Sequence, residues 1–285
     1  MPSKYAFIAE NLEHFYRYPQ EYYMKPFRIY GNLWFVGNRD VGSYLFDTPE
    51  GLILIDTTYP ETRAQMIQSI WEAGFNPRDI RYILHTHGHF DHFGATDVLV
   101  ALSGAETFLG EEDAKMFSER PELALISDAH HTYLEPFRVD HAIRDGDVIT
   151  LGGTSIRCIS CPGHTLGVMC FVAELEENGI KKTAGLYGGI GTGTVCREFV
   201  EKMDTWAYRE HFIDSLEKVR HEKIDITLGN HTAQNATEEK RRKMLEDPDG
   251  PNPFIDPSEW ERFIEGAKEK YLQMLRDEEA GTDQI

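Results

Sequence analysis

From Phe27 onward apolar and polar positions alternate with a period of two, in FRIYGNLWFVG, VGSYLFDT and GLILIDT, each run bounded by turn residues. These runs predict three short antiparallel strands, with Asp56 closing the third where the backbone leaves the sheet. The period then lengthens. Thr58-Tyr59-Pro60-Glu61 reads as a helix start, Met66, Ile67, Ile70 and Trp71 share one face, and Gly74 stops the helix. Ile80–Leu84 is a buried strand that delivers the polar stretch His85–Gly94. A helix over Ala95–Ser103, a strand over Glu106–Leu109 and a polar helix over Glu111–Ser118 follow.

Between Glu119 and His141 no period is visible, and the stretch reads as a long loop of the kind that faces substrates. It holds His130 and His131, read as solvated loop residues rather than ligands, and Tyr133, a candidate substrate contact. Strands return in DVITLGG, TSIRCISC, VMCFVAEL and TAGLYGG. Trp206, Phe212, Leu216 and Val219 space a helix over Asp204–His221, and Ile224–Leu228 is a strand ending at Gly229-Asn230-His231. A charged helix over Thr237–Glu246, a Pro-rich turn and a helix from Ser258 to Arg276 complete the order. Residues 1–26 form an aromatic-rich segment, a short amphipathic helix and an extended stretch ahead of one domain over 27–278; the polar tail 279–285 is expected to be disordered. Strands and helices thus arrive in two similar batches, which predicts an α/β (α+β) fold of two packed sheets with helices outside.

Composition narrows the function. The 285 residues are 41% hydrophobic and 27% charged, ordinary for a globular protein with a sizeable core. The net charge of −19 repels phosphate backbones, so nucleic acid is excluded as a substrate and a small molecule is expected. No run approaches the ~18 apolar residues of a membrane span, and the charged N-terminus lacks a signal-peptide core, so a cytoplasmic location is expected. Composition carries no expectation of oligomeric state. Four cysteines are too few for a disulfide scaffold, and Cys158 and Cys161 read as thiols on a buried strand, with no second C-x-x-C to complete a zinc site.

The stretch HTHGHFDHFG carries the chemistry. His87, His89, Asp91 and His92 follow the order H-x-H-x-D-H, three imidazoles and a carboxylate within six residues. Nitrogen and oxygen donors without thiolate suit Zn²⁺, and also Fe or Mn. His164 follows the strand TSIRCISC in Cys-Pro-Gly-His, and His231 follows the strand IDITL. All these groups stand where a strand runs out into a loop, and in a two-sheet sandwich those ends converge on one edge.

At these residues the chain resembles the metallo-β-lactamase superfamily, from the strands around Asn32–Thr57 through HTHGHFDHFG and CPGHTLG to His231. The resemblance implies a four-layer αββα sandwich with two zinc ions at one edge. His87, His89 and His164 would bind the first, and Asp91, His92 and His231 the second, with Asp91 also placed to hydrogen-bond the attacking water. Asp56 matches a family aspartate that lies close to the metal ligands, and its expected role is to orient a ligand imidazole; capping of the following turn is the alternative. Where many members bridge the metals with a carboxylate, this chain has Ile190 in Tyr187-Gly188-Gly189-Ile190. The third subclass of class B β-lactamases lacks such a bridge too, and Gly250–Pro257 resembles its C-terminal region. Its substrate-carboxylate serines have only Thr192 or Thr194 as counterparts here.

The resemblance implies a zinc hydrolase of an amide or ester-like bond, β-lactams included, with a thioester or lactone hydrolase of the same fold as the alternative. A nuclease conflicts with the charge, a flavin-coupled diiron protein would carry a carboxylate at His89, and a fold repurposed for binding would have lost ligands. His85 lies two residues before His87, but the Asp91–His92 pair sets the frame and leaves it out of the ligand set. His14, His141, His211 and His221 read as surface or packing residues.

Overall fold

A computed structural model describes residues 3–6, 13–128 and 133–284. Seven strands form the first sheet in sequential order: β1 (Phe27–Tyr30), β2 (Leu33–Phe35), β3 (Tyr44–Thr48), β4 (Gly51–Ile55), β5 (Ile80–Leu84), β6 (Glu106–Gly110) and β7 (His141–Ile143). β1 to β4 pair antiparallel, and β4 to β7 pair parallel. The second sheet has the order β12-β11-β10-β9-β8, from β8 (Val148–Leu151), β9 (Thr154–Ser160), β10 (Met169–Glu177), β11 (Ile180–Tyr187) and β12 (Ile226–Gly229), with only β11–β12 parallel.

Helices cover both outer faces. α1 (Glu13–Arg17) lies near the N-terminus, and α2 (Arg63–Glu72), α3 (Phe90–Phe93), α4 (Thr96–Ser103) and α5 (Glu111–Glu119) follow strands of the first sheet. α6 (Arg197–Met203), α7 (Ala207–Val219), α8 (Thr237–Glu246) and α9 (Glu259–Ala280) belong to the second half. One apolar core fills the space between the sheets, built on Phe35, Phe46, Ile156, Phe171 and Leu228. A second joins β10 and β11 to α7 and α9, and a third joins β4 and β5 to α2 and α4. The four-layer αββα sandwich is therefore present. On α9 the buried positions Trp260, Ile264, Ala267, Tyr271 and Met274 recur at the helical period. Each large apolar side chain on that stripe contributes ~1.5–3 kcal/mol by leaving water.

Several expectations change in the folded chain. FRIYGNLWFVG is two strands, because Gly31 takes φ +53 and turns the chain between Tyr30 and Leu33. On α2 the stripe buries Met66 and Ile70 but leaves Trp71 61% exposed. The predicted helix over Asp204–His221 begins only at Ala207, because Asp204 is left-handed and separates it from α6, which showed no recognisable pattern. The stretch Glu119–His141 contains 3-10 turns at Pro121–Ala124 and Ile126–Asp128, buries Leu123, Ala124 and Leu134, and ends in β7; His130 and His131 lie outside the described residues.

The tail 279–285 also departs from the expected disorder. α9 runs to Ala280 and is capped by Gly281; the Lys4 N–H donates to the Asp283 carbonyl at 2.7 Å, and Gln284 pairs with Ser3. Glu278, 3% exposed, accepts from the Arg197 N–H at 2.6 Å and pairs with Arg209 at 2.8 Å. Paired charges hold this end of the chain, and an apolar pattern does not register them. No helix among the described residues is long and apolar enough to cross a membrane.

Candidate metal centre

The C-terminal ends of β4, β5, β9, β11 and β12 lie at one edge of the sandwich, and the loops leaving them carry the candidate ligands. Nitrogens of His87, His89 and His164 form one group, and Asp91, His92 and His231 another; within each group the donor atoms lie within 4.8 Å of one another. All six predicted ligands are thus brought together in the predicted two sets. His87 Nε2 stands 2.9 Å from His89 Nδ1, and the His164 ring lies edge-on to both, at centroid distances of 4.9 and 4.7 Å. In the second group Asp91 Oδ2 is 3.3 Å from His92 Nε2 and 3.4 Å from His231 Nε2.

Each set is held from behind. Asp56 is buried at the end of β4 with φ +57, a costly conformation for a non-glycine residue that the surrounding structure has to hold in place. Its carboxylate accepts from the Thr86 N–H at 2.8 Å and the Thr86 hydroxyl at 2.7 Å, and Oδ2 takes the Nδ1 of His92 at 2.8 Å. The imidazole-orienting geometry proposed for Asp56 is therefore present. His92 Nε2 is left buried without a hydrogen-bond partner, aimed at Asp91 and His231. Behind His231, Asp40 Oδ1 stands 3.4 Å from Nδ1, while Oδ2 accepts the buried Tyr59 hydroxyl at 2.6 Å.

The first set is held by neutral groups and by one carboxylate. His164 Nδ1 faces the Gly191 carbonyl at 2.8 Å and the Thr194 hydroxyl at 3.0 Å, which leaves Nε2 to the cluster. Gly189 has no room for a side chain, since a Cβ there would stand 2.9 Å from the His164 ring. Asp113 of α5 accepts from the N–H of Gly88, between His87 and His89, at 2.7 Å. It also accepts from the Thr165 hydroxyl at 2.7 Å and the Gly167 N–H at 2.9 Å, just beyond His164. One buried carboxylate thus ties together the two loops that carry the first set.

The electrostatics of the two sets differ. Burial, then the neighbouring imidazoles, hold His87 and His89 well below the usual histidine range, and burial lowers His164 to about 4. These rings are neutral at pH 7, as a metal ligand must be. Burial opposes the charged form of His92 and His231 as well. The carboxylates of Asp91 and Asp56 nevertheless lift His92 to about 9, and the bonds to Asp40 and Asp91 lift His231 to about 10. Asp91 is held well below its usual range, the charge of His92 and the hydrogen bond to His231 outweighing burial. The positive charge facing the Asp91 carboxylate is carried by the raised imidazoles of His92 and His231. Three imidazoles, and an Asp-His-His set with an orphaned buried nitrogen, fit two divalent cations on donor chemistry.

The remaining candidates sort as follows. His85 spends both nitrogens, on the Phe108 carbonyl at 3.1 Å and the Thr96 hydroxyl at 2.8 Å, and stacks on Phe137. Thr194 does not face a substrate: it is buried and its hydroxyl is used on His164, at Nδ1 and at the backbone carbonyl 2.6 Å away. Thr192 lines a surface groove, and Tyr133 is 75% exposed, with its carbonyl accepting from Arg63. Ile190 is half-buried against the α7–α9 core. His14 and His141 form exposed pairs with Glu21 and Glu106, His211 and His221 are exposed, and all four cysteines are buried and free. Sequence reasoning missed Asp113 and Asp40. Asp113 shares a helical face with Met116 and Phe117, an acid among apolar positions that signalled its burial; Asp40 sits in a polar turn and gave no such signal.

The family model of the metallo-β-lactamase superfamily matches residues 36–177. Native FEZ-1, a metallo-β-lactamase from Legionella gormanii, superposes with a TM-score of 0.80 at 29% identity, over 90% of this chain and 97% of that one. The chain belongs to the metallo-β-lactamase superfamily. Its structural neighbours include the class B3 di-zinc metallo-β-lactamase LRA-12 from an Alaskan soil metagenome, at TM-score 0.79 and 25% identity over 90% of this chain and 96% of that one. Among curated sequences, hydroxyacylglutathione hydrolase GloC of Haemophilus influenzae is 28% identical over 52% of this chain and 68% of its own. Shared stretches span 31% to 68% of the length of such curated relatives, and 62% of an uncharacterised Mycobacterium leprae protein at 29% identity over 42% of this chain.

Proposed function

We propose that this chain is a hydrolase that uses two divalent cations, zinc in the first instance and Fe or Mn by the same donors, to cleave an amide or ester-like bond of a small molecule, β-lactams included. The observation that carries the reading is the second set: His92 is anchored on Asp56 through one nitrogen, and its other nitrogen is buried, without a hydrogen bond and convergent with Asp91 and His231. When bound, the cations lower the pKa of water from about 15.7 toward ~7 and polarise the scissile carbonyl. The chain's residues do the rest. His87, His89 and His164 offer neutral nitrogens, Asp56 and Asp40 fix the outer faces of His92 and His231, and Asp91 is placed to hold the attacking water by a hydrogen bond. Nucleic acid is disfavoured as substrate by the charge of −19.

One observation favours a second reading, a thioester or lactone hydrolase. With Thr194 turned to His164, only Thr192 of the two candidate hydroxyls remains for a β-lactam carboxylate. The similarity to GloC, named as a hydroxyacylglutathione hydrolase, points the same way. Turnover by zinc-loaded protein of a chromogenic cephalosporin, a set of lactones and glutathione thioesters separates the readings. Cephalosporin hydrolysis supports the first, thioester or lactone hydrolysis alone supports the second, and hydrolysis of none of them overturns both.

A further inference from the structure

Between the loops that leave β11 and β12 and the flank of α9 lies a groove of about 380 Å³. Both loops issue from the carboxyl ends of neighbouring parallel strands, where ligands of α/β folds characteristically bind. Two of its lining residues hydrogen-bond to residues of the metal centre. Gly191, on one side, accepts from His164 at its carbonyl, and Gln234, on the other, donates its N–H to the His231 carbonyl at 3.0 Å.

The lining has a definite chemistry. Ile190 and Phe263 supply a half-buried apolar surface. Arg262 and Lys270 stand about two turns apart on α9 and bring two cations to one groove in a chain of net charge −19. Arg262 is shared with Asp256 at 2.7 Å, whereas Lys270 has no carboxylate partner among the described residues. Gly266 lies between them, and a Cβ built there meets nothing within 4 Å. A glycine inside a helix costs about 1 kcal/mol relative to alanine, so the open space beside it is retained against helix propensity.

We propose that this groove is the subsite for an anionic arm of the substrate: an acyl chain lying over Ile190 and Phe263, past Thr192, with a terminal carboxylate paired to Lys270 and assisted by Arg262. The assignment rests on the acyl-hydrolase reading above and adds a substrate class to it, acyl compounds that carry a second acidic group. The net charge of the protein repels such molecules at long range, and the two cations supply the local attraction that overcomes it.

A matched pair of N-acetylcysteamine thioesters tests this, glutaryl against pentanoyl, which differ in a terminal carboxylate for a methyl group. Zinc-loaded protein is expected to favour the glutaryl compound in kcat/KM by about 3- to 10-fold, the scale of one or two exposed ion pairs, chiefly through KM and less so at high salt. Lys270→Glu removes or reverses that ratio. Gly266→Gln, which fills the groove with a neutral chain and improves helix propensity, abolishes it without risk to folding. A wild-type ratio near one, or a ratio unchanged in Lys270→Glu, overturns the subsite while leaving the hydrolase reading intact. If neither thioester is turned over, the thioester reading fails separately. Titration with glutaramate against pentanamide then decides the groove: tighter glutaramate binding that Lys270→Glu removes supports it, and equal binding of the two overturns it.

Discussion

The two halves of the metal centre solve the same problem in opposite ways. His87, His89 and His164 are neutral because they are buried, and their loops are fixed by backbone carbonyls, a hydroxyl and the Asp113 carboxylate, none of which places a charge against a ligand ring. His92 and His231 lie between carboxylates, Asp91 in front and Asp56 or Asp40 behind, and these outweigh burial and raise both imidazoles. The first set is therefore organised for a cation before one arrives, whereas the second must release protons to receive it. The two candidate sets have no residue in common, so two cations bound there would share no protein ligand. The second site is expected to be the weaker and the more pH-dependent of the two.

The comparison breaks most sharply at His87. His87→Ala should abolish activity, by 10³-fold or more if the first set is the catalytic one, with zinc content falling in parallel. Full activity in that variant would remove the whole site assignment. Next in size is the pH response of Asp113. Burial pushes its carboxyl up to about 6 against the ordinary 3.8, its three donors only partly compensating. A folded value above the unfolded one means a stabilising contribution that is full below pH 4 and lost as pH rises through 6. Relative to Asp113→Asn, wild type should thus lose roughly 2 to 2.5 kcal/mol of unfolding free energy between pH 4 and 7.5. Denaturant titrations at the two pH values measure the difference, and parallel behaviour of both proteins would contradict it.

Asp56→Ala leaves the Thr86 amide and the His92 ring without their acceptor. It should weaken the second cation site by about 10- to 100-fold and the first by less, since Asp56 reaches His87 only through the Thr86 hydroxyl 3.1 Å from Nδ1, as read by competition with a chromogenic zinc chelator. Equal losses at both sites would mean that Asp56 serves the fold rather than His92. The smallest effect belongs to Asp40→Asn. Its contact with His231 is long at 3.4 Å and partly exposed, so the second site should weaken by about tenfold or less, with the Tyr59 bond retained. Two equally tight zinc sites in the wild-type titration would erase the contrast between the sets.

The legible parts of this molecule were those with a dense local signal. The period-two runs gave the strands because each has one side on the intersheet core, and the stripe from Trp260 to Met274 gave α9 because it buries one face. What escaped was held by polar contacts or lacked length. β7 is three residues long and pairs only along an edge, α6 is separated from α7 by a left-handed Asp204, and the C-terminus is fixed by Glu278 with Arg209. Thr194 was read as a substrate contact from its place in the chain, but side-chain direction decided otherwise.

The sequence by itself determined which donors exist and on which strand ends they sit, because ligand chemistry is a property of residue types and strand ends follow from apolar period. Only the tertiary structure decided how those donors divide into a neutral set and a carboxylate-braced set. That division depends on Asp40, Asp56 and Asp113, which meet their partners across loops distant in sequence, and on burial that sets their charge. The substrate groove was likewise beyond the linear chain, since Lys270 and Thr192 become neighbours of one cavity only when α9 packs beside the strand ends.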